Sequence, residues 1–168
     1  MAERFRLTLA QLNPTVGDLA GNAALARGAW DEGRAAEADL VALPEMFITG
    51  YNMQDLVLKP AFHQAAIAAI EALARDCAEG PALAIGGPAL DGVGLYNAYY
   101  VLQGGRISAR VLKHHLPNET VFDEKRLFES GQVNGPYAVG GVRIGSPICE
   151  DSWYPDVAET LAETGAEM

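Results

Sequence analysis

The sequence has few cysteines and no long hydrophobic run, and both absences limit the class of protein that it encodes. Its two cysteines, Cys77 and Cys149, are too few for a disulfide framework, so we expect a reduced, cytoplasmic protein. No stretch of about 18 uninterrupted apolar residues occurs, which excludes a transmembrane helix. Residues 1–6 also lack the charged and then apolar layout of a secretory signal. We therefore expect no membrane partner.

Basic residues are scarce as well, since 12 lysines and arginines stand against 22 acidic residues, for a net charge of −10. Nucleic-acid binding requires a basic patch or stripe, and its absence excludes nucleic acid as the main partner. The sequence is instead rich in apolar residues: 49% of its 168 residues are hydrophobic, enough for one core. Its 18 glycines and 9 prolines predict many turns and short elements.

The periodicity of the apolar residues predicts an α/β domain. Strand patterns alternate with amphipathic helical patterns and then give way to strand-rich sequence, an order typical of layered α/β folds. We expect Asn22 to cap the first helix, and Gly104 and Gly105 to form a hairpin turn. The predicted strands are 5–12, 39–43, 82–86, 96–102, 106–113 and 142–149, and the predicted helices are 22–38, 60–78 and 156–163.

The end of the chain departs from this alternation. A predicted helix is followed by Gly165 and three further residues, where an alternating pattern requires another strand. We therefore expect the 168 residues to be part of a longer sequence.

Three residues at predicted strand ends carry groups suited to amide hydrolysis. Glu45 follows a buried strand and Pro44, where α/β folds place their sites, although a solvated loop carboxylate fits the position too. Lys113 ends a hairpin strand and is alternatively a solvated edge charge. Cys149 precedes a helix, whose dipole favours a thiolate, although free cysteines are most often inert, as Cys77 is expected to be. Together they supply a nucleophile, a base and a cation for a developing oxyanion.

Two adjacent histidines, His114 and His115, raise the question of a metal site. Adjacent residues on a strand point to opposite faces, so the two side chains are not expected to ligate one ion. The other candidate ligands do not show zinc spacing either. We therefore expect no metal in this part of the chain.

Several spaced motifs resemble the nitrilase, or carbon–nitrogen hydrolase, superfamily. Its signatures match LPEMF at 43–47, KHHLP at 113–117 and ICED at 148–151, in the family's Glu-Lys-Cys order. Further segments are similar to the glutaminase domains of the glutamine-dependent NAD synthetase family. They are LAQLNPTVGD at 9–18, GY at 50–51, DL at 55–56, LPN at 116–118, VFDE at 121–124 and CEDSW at 149–153.

The resemblance implies a fold and a domain arrangement. The fold is a nitrilase-like four-layer α-β-β-α sandwich, which these residues complete only in part at the C-terminal side. Residues 1–168 would form a partial carbon–nitrogen hydrolase (glutaminase) domain. The synthetase domain expected downstream is absent from the sequence.

The resemblance also implies site residues. Cys149 would attack the side-chain amide of glutamine, Glu45 would act as general base, and Lys113 would hold the oxyanion. Glu124 corresponds to a second glutamate that orients the lysine and assists proton transfer. The residues implied in substrate binding are Tyr51, Glu119, Glu150 and Trp153.

The implied partners follow from the same resemblance. The glutaminase half would take L-glutamine and need no cofactor or metal. The synthetase half would use ATP and Mg²⁺ to amidate deamido-NAD, and the complete protein would be a homo-oligomer. One departure is Glu119-Thr120, where the family usually has Tyr-Gly. A free-standing amidase acting on another small amide, or an inactive fragment, therefore remains an alternative.

Overall fold

A computed structural model describes residues 4–92 and 94–168 of the chain. Residues 1–3, on which the expected absence of a secretory signal partly rests, lie outside the described residues. The strands are β1 (Leu7–Leu9), β2 (Leu40–Ala42), β3 (Ala82–Asp91), β4 (Gly94–Gln103), β5 (Arg106–Leu112), β6 (Tyr137–Val139) and β7 (Val142–Ile144). The helices are α1 (Leu19–Ala35), α2 (Pro60–Asp76) and α3 (Pro155–Glu163).

The first five strands form one sheet in the order β1-β2-β3-β4-β5. β1, β2 and β3 run parallel, because each connection between them returns through a helix, and Leu40 lies between Leu7 and Ala82 in register. β4 and β5 are added antiparallel through tight turns. Gly104 and Gly105, at the turn between them, have φ values of 58° and 80°, a region that favours glycine. The predicted hairpin is confirmed.

Helices α1 and α2 cover one face of this sheet. Their apolar sides bury Trp30 and Ile70 against Leu83 and Ile85 of β3. The Trp30 indole donates a 2.8 Å hydrogen bond to the carbonyl of Pro81, so its one polar group is satisfied inside the core. Burying an aliphatic side chain such as that of Ile70, Leu83 or Ile85 contributes about 1.5–3 kcal/mol, so this interface stabilises the fold.

The β6–β7 hairpin covers the opposite face. Val139 and Ile144 pack there against Leu40, Ala84 and Val101 of the sheet. The central strands β2, β3 and β4 are thus buried on both faces, with helices on one side and strands on the other, whereas Leu9 of the edge strand β1 is exposed. This layering confirms the predicted α/β class and its sandwich arrangement. Among the described residues, no helix is long and apolar enough to cross a membrane.

Most element boundaries differ from the predictions by a few residues, and β1 is only three residues long where residues 5–12 were predicted. Two of the differences concern residues named above. The first helix begins at Leu19, and Asp18 caps it by accepting a 2.9 Å hydrogen bond from the Gly21 N–H. Asn22, the predicted cap, lies inside that helix, where its buried side chain bonds the backbone of Thr15 and Ile48. The strand predicted over 142–149 ends at Ile144. Cys149, its last predicted residue, instead begins a short 3₁₀ helix, Cys149–Trp153. That change places Cys149 at the start of a helical turn.

Candidate active site

Lys113 follows β5 directly and points into the protein. Its side chain is fully buried, and its Nζ atom lies 2.6 Å from Glu45 Oε1 and 2.9 Å from Glu124 Oε2. The strand pairing continues to this position, since the Lys113 N–H donates to the Asn97 carbonyl of β4. The alternative of a solvated edge lysine is therefore wrong.

Glu45 is positioned by the turn that follows β2 and Pro44. This turn lies against β3 at Gly86, where a Cβ atom would lie only 2.2 Å from Met46 N and 2.7 Å from Glu45 Cα. The next residue, Met46, has a φ of 48° and is fully buried. A glycine at 86 is thus what allows the Glu45 backbone to approach the sheet.

Asn97, on β4, links Glu45 and Glu124, and no sequence motif indicated this role. Its amide nitrogen donates to Glu45 Oε1 at 2.7 Å and lies 3.4 Å from both carboxylate oxygens of Glu124. Its Oδ1 atom is buried and has no hydrogen-bond partner within residues 4–92 and 94–168. An asparagine among apolar strand neighbours is the only local signal, and it does not distinguish a site residue from an ordinary strand residue.

Tyr51 contacts Glu124. The tyrosine hydroxyl donates a 2.8 Å hydrogen bond to Glu124 Oε1, while Glu124 itself lies on a short 3₁₀ helix, Glu124–Arg126, and is 2% exposed. Glu124 therefore accepts bonds from a phenol, an ammonium and an amide at once. Such a carboxylate is held in one orientation.

Cys149 shares a cavity with Glu45. The cavity has a volume of about 320 Å³, and its lining residues are Leu43, Glu45, Tyr99 and 145–149. Cys149 has a φ of 49°, an uncommon backbone conformation for a residue with a side chain, and it is exposed. Cys77, in contrast, is buried at the end of α2, as predicted.

Asp151 connects the segment after Lys113 to the segment around Cys149. Its buried carboxylate accepts backbone hydrogen bonds from His114 (3.1 Å) and His115 (2.7 Å) through Oδ1, and from Ile148 (3.0 Å) through Oδ2. A carboxylate that receives three N–H bonds fixes both segments, because losing one segment would leave it partly unsatisfied. Sequence reasoning included Asp151 in a motif but assigned it no role.

Burial and neighbouring charges together set the pKa values of Lys113 and Glu124. Burial alone would lower the pKa of Lys113, but the adjacent carboxylates of Glu45 and Glu124 raise it above its usual value, so the amine is protonated. Burial raises the pKa of Glu124, and the charge of Glu45 adds to this, while Lys113 and Tyr51 act in the other direction.

The pKa of the Cys149 thiol is also raised. Partial burial is the largest cause, and the negative charge of Glu45 adds to it, while the positive charge of Lys113 lowers it. The thiol is thus protonated at neutral pH and needs a base to become a nucleophile. Glu45, in the same cavity, is placed for that exchange.

The structure separates the other predicted substrate residues from this group. Glu119 is exposed on the loop before Glu124, in which Thr120 has a φ of 57°. Glu150 lines a neighbouring cavity with the two histidines, and Trp153 is 79% exposed. Of the predicted residues, Glu45, Lys113, Glu124 and Tyr51 therefore form one hydrogen-bonded group beside Cys149.

The geometric reason for excluding a metal at His114 and His115 is wrong. β5 ends at Leu112, so the two histidines are not in strand conformation, and their rings meet edge to face with centroids 4.6 Å apart. Their ring nitrogens and a carboxylate oxygen of Asp156 all lie within 4.8 Å of one another.

Comparison with known proteins agrees with this geometry. The family model described as carbon-nitrogen hydrolase matches residues 6–168. The chain belongs to the carbon-nitrogen hydrolase family. Members similar to it include a glutamine-dependent NAD(+) synthetase from Rhodobacter capsulatus, 62% identical over 168 residues, and one from Aquifex aeolicus, 37% identical over 166 residues. The chain spans about 30% of the length of these relatives, and they span 100% and 98% of the chain.

Two solved structures share the fold of this chain. A glutamine-dependent NAD+ synthetase from Acinetobacter baumannii superposes with a TM-score of 0.85 at 29% identity, covering 96% of this chain and 31% of its own. An amidase from Nesterenkonia sp. superposes with a TM-score of 0.83 at 23% identity, covering 96% of this chain and 62% of its own. The nitrilase-like fold predicted from the motifs is therefore confirmed.

Proposed function

We propose that this chain hydrolyses the side-chain amide of L-glutamine and releases ammonia within a glutamine-dependent NAD synthetase. One observation carries the proposal: the ammonium of Lys113 is held between Glu45 and Glu124 beside the exposed thiol of Cys149. The identity of 62% to a glutamine-dependent NAD(+) synthetase supports the choice of glutamine over other amides.

The proposed reaction begins with proton transfer from Cys149 to Glu45. The resulting thiolate attacks the amide carbon, and the negative charge that develops on the carbonyl oxygen is stabilised by Lys113 and by backbone N–H groups next to Cys149. Glu45 returns its proton to the departing nitrogen, so the C–N bond breaks, ammonia leaves and a thioester remains. Glu45 then takes a proton from water, whose attack on the thioester releases glutamate and returns the proton to the thiol.

Two residues position these groups. Glu124 orients Lys113 through the 2.9 Å ion pair, and Asn97 holds the oxygen of Glu45 that Lys113 also contacts. Removing Asn97 would leave the charges in place but relax their geometry, and removing Glu124 would take away one carboxylate and release Lys113. Oxyanion stabilisation is sensitive to this geometry.

We retain Tyr51, Glu119, Glu150 and Trp153 as proposed substrate contacts. Tyr51 reaches the site through its bond to Glu124, and the other three lie on the exposed loop before Glu124 or just after Cys149. Glutamine carries an α-ammonium group, and carboxylates such as those of exposed Glu119 and half-buried Glu150 suit its recognition.

We further propose that residues 1–168 are part of the glutaminase domain of a longer, cytoplasmic and homo-oligomeric protein. The ammonia would there amidate deamido-NAD at the expense of ATP, and a separate synthetase domain would bind ATP and Mg²⁺. The relatives support this, since the chain spans only about 30% of their length. The steps proposed at Cys149 use side-chain and backbone groups of this chain.

A second candidate is an amidase for another small amide. Glu119 favours it, because a carboxylate occupies the exposed loop where the resembling family usually has a tyrosine. Such an enzyme would use the same residues with a different substrate pocket.

The test measures ammonia release by the full-length protein from glutamine and from a panel of small amides. We expect glutamine to be the best substrate and Cys149→Ala to abolish turnover, while the matched variant Cys77→Ala, which removes the buried thiol, retains the activity of its folded fraction. Equal rates for the wild type and Cys149→Ala would refute the proposal. A higher kcat/KM for a non-amino-acid amide would establish the second candidate.

A further inference from the structure

A cluster of ligand atoms lies outside the proposed catalytic group. His114 and His115 follow β5, Asp156 is the second residue of α3, and the side chains of the three residues meet. His115 Nε2 lies 2.9 Å from both carboxylate oxygens of Asp156, and His114 Nε2 lies 4.0 Å from Asp156 Oδ2. Over residues 4–92 and 94–168, this is the one group of three or more His, Cys, Asp or Glu side chains close enough to share an ion.

The proton position on His114 is suited to metal binding. Its Nδ1 lies 2.7 Å from the carbonyl of Gly131 and must donate to it, because a carbonyl oxygen only accepts. In the neutral ring the proton is therefore on Nδ1, and Nε2 presents a free lone pair toward Asp156. Metal-binding histidines show the same arrangement, in which the second ring nitrogen donates to a carbonyl that fixes the tautomer and the ring orientation.

The surroundings hold the three groups in place yet leave them accessible. The backbone N–H groups of His114 and His115 are fixed by Asp151, and the His115 ring packs against Tyr154 with centroids 4.3 Å apart. The side chains of His114 and His115 are 34% and 23% exposed, so an ion reaches them from solvent. The chain's net charge of −10 also attracts cations.

From this cluster we infer a site for a divalent first-row transition ion, of which Zn²⁺ is the probe, with His114 Nε2, His115 Nε2 and Asp156 as ligands. Two imidazoles and one carboxylate suit Zn²⁺, and three protein ligands leave a fourth position for water. Zinc bonds of about 2.0–2.2 Å place ligand atoms up to roughly 4 Å apart, so movements of about 1 Å bring these atoms into coordination.

The ion would connect two parts of the proposed active site. His114 adjoins Lys113, and Asp156 begins the helix that follows the Cys149 segment. A bound ion would therefore reinforce the connection that Asp151 already makes between these segments. Because it binds the folded chain, it would raise the temperature of unfolding progressively as the free ion concentration rises above its Kd.

The experiment titrates the full-length protein with Zn²⁺ by calorimetry and with Co²⁺ by visible absorption, both in a Cys149→Ala background that removes the exposed thiol. We expect one Zn²⁺ per chain at this cluster and Co²⁺ d–d bands without thiolate charge transfer. His115→Asn and Asp156→Asn should each weaken Zn²⁺ binding at least tenfold. The matched control, His63→Gln, changes the histidine on α2 and should leave the affinity within twofold.

His114 needs a variant that keeps the local fold. In His114→Asn, the amide nitrogen replaces Nδ1 as donor to Gly131 while the ligand Nε2 is lost, so Zn²⁺ affinity should fall at least tenfold. Zn²⁺ should also raise the Tm of the background protein and not that of Asp156→Asn. The inference is overturned if Zn²⁺ binding is absent, or if the variants that fold bind it as the background does. These readouts do not depend on glutamine hydrolysis, so they distinguish failure of this site from failure of the proposed function.

Discussion

Lys113 and Glu45 form an ion pair inside the protein, with Nζ and Oε1 2.6 Å apart. Lys113 and Glu45 are far apart in the sequence. They meet because the sheet brings the end of β5 close to the turn that follows β2. Its burial has an energetic consequence: removing one partner leaves a charge with no water to solvate it. The first prediction follows from this pair.

Replacing Lys113 by methionine should slow amide hydrolysis by about 10²–10³-fold, the usual effect of losing an oxyanion-stabilising group. It should also lower the free energy of unfolding by about 3–5 kcal/mol, because Glu45 and Glu124 lose their buried cation. Chemical denaturation measures stability, and ammonia release by the folded fraction measures rate. Lys59→Met removes an exposed lysine and should change neither. A rate loss below threefold for Lys113→Met would argue against the proposed role.

Glu45→Gln should lower the pH at which Cys149 becomes reactive. A nearby carboxylate disfavours the thiolate, so its removal lowers the thiol pKa, whereas Lys113→Met should move the pKa upward. The midpoint of alkylation by iodoacetamide, followed for the Cys149 peptide by mass spectrometry, should shift in these opposite directions from that of the wild type. Glu79→Gln, an exposed change on the loop after α2, serves as control. Shifts of the same sign in both site variants would contradict the electrostatic assignment.

Tyr51→Phe should move the acidic limb of the kcat/KM profile to higher pH. The Tyr51 hydroxyl donates to the Glu124 carboxylate and stabilises its charged form, so losing that bond raises the Glu124 pKa further. Tyr100→Phe removes a hydrogen bond of similar length to the Pro88 carbonyl and tests for a merely structural effect. If both variants lose stability but leave the pH profile unchanged, Tyr51 does not act through Glu124.

Two glycine-to-alanine substitutions should have opposite effects on stability. At Gly86 a Cβ would overlap the backbone of Met46 and Glu45, so Gly86→Ala should lower the unfolding free energy by about 1–3 kcal/mol and reduce turnover. At Gly28, inside α1, a Cβ meets nothing within 4 Å, so Gly28→Ala should add about 0.5–1 kcal/mol. Thermal denaturation and ammonia release check both. A neutral Gly86→Ala would show that the Glu45 turn tolerates displacement.

The sequence was sufficient wherever the signal is local. The apolar run before Pro44 located β2 and hence Glu45, and the glycines at 104 and 105 located the hairpin that ends at Lys113. Helix α2 matched its predicted start at Pro60 because its apolar residues recur at helical spacing.

Contacts between side chains on different strands could not be predicted from the sequence. Asn97 looks like any polar residue on a strand until β2 and β5 place Glu45 and Lys113 beside it. Asn22 is a residue type that often caps helices, but the cap is Asp18, whose carboxylate accepts the hydrogen bond from the first turn. The Asn22 side chain instead donates to a buried backbone carbonyl. The positions of His114 and His115 depended on where β5 ends, and strand ends are the least predictable feature of a periodic pattern.

The three backbone bonds of Asp151 make the arrangement of nucleophile and cation independent of the loop that precedes Glu124. Residues 118–123 are exposed and make none of the hydrogen bonds to the Asp151 carboxylate, yet Phe122 of this loop stacks on Tyr51, a proposed substrate contact. Laboratory evolution that inserts or exchanges residues in this loop should therefore change which amide is preferred. The geometry of Cys149 and Lys113 would stay the same.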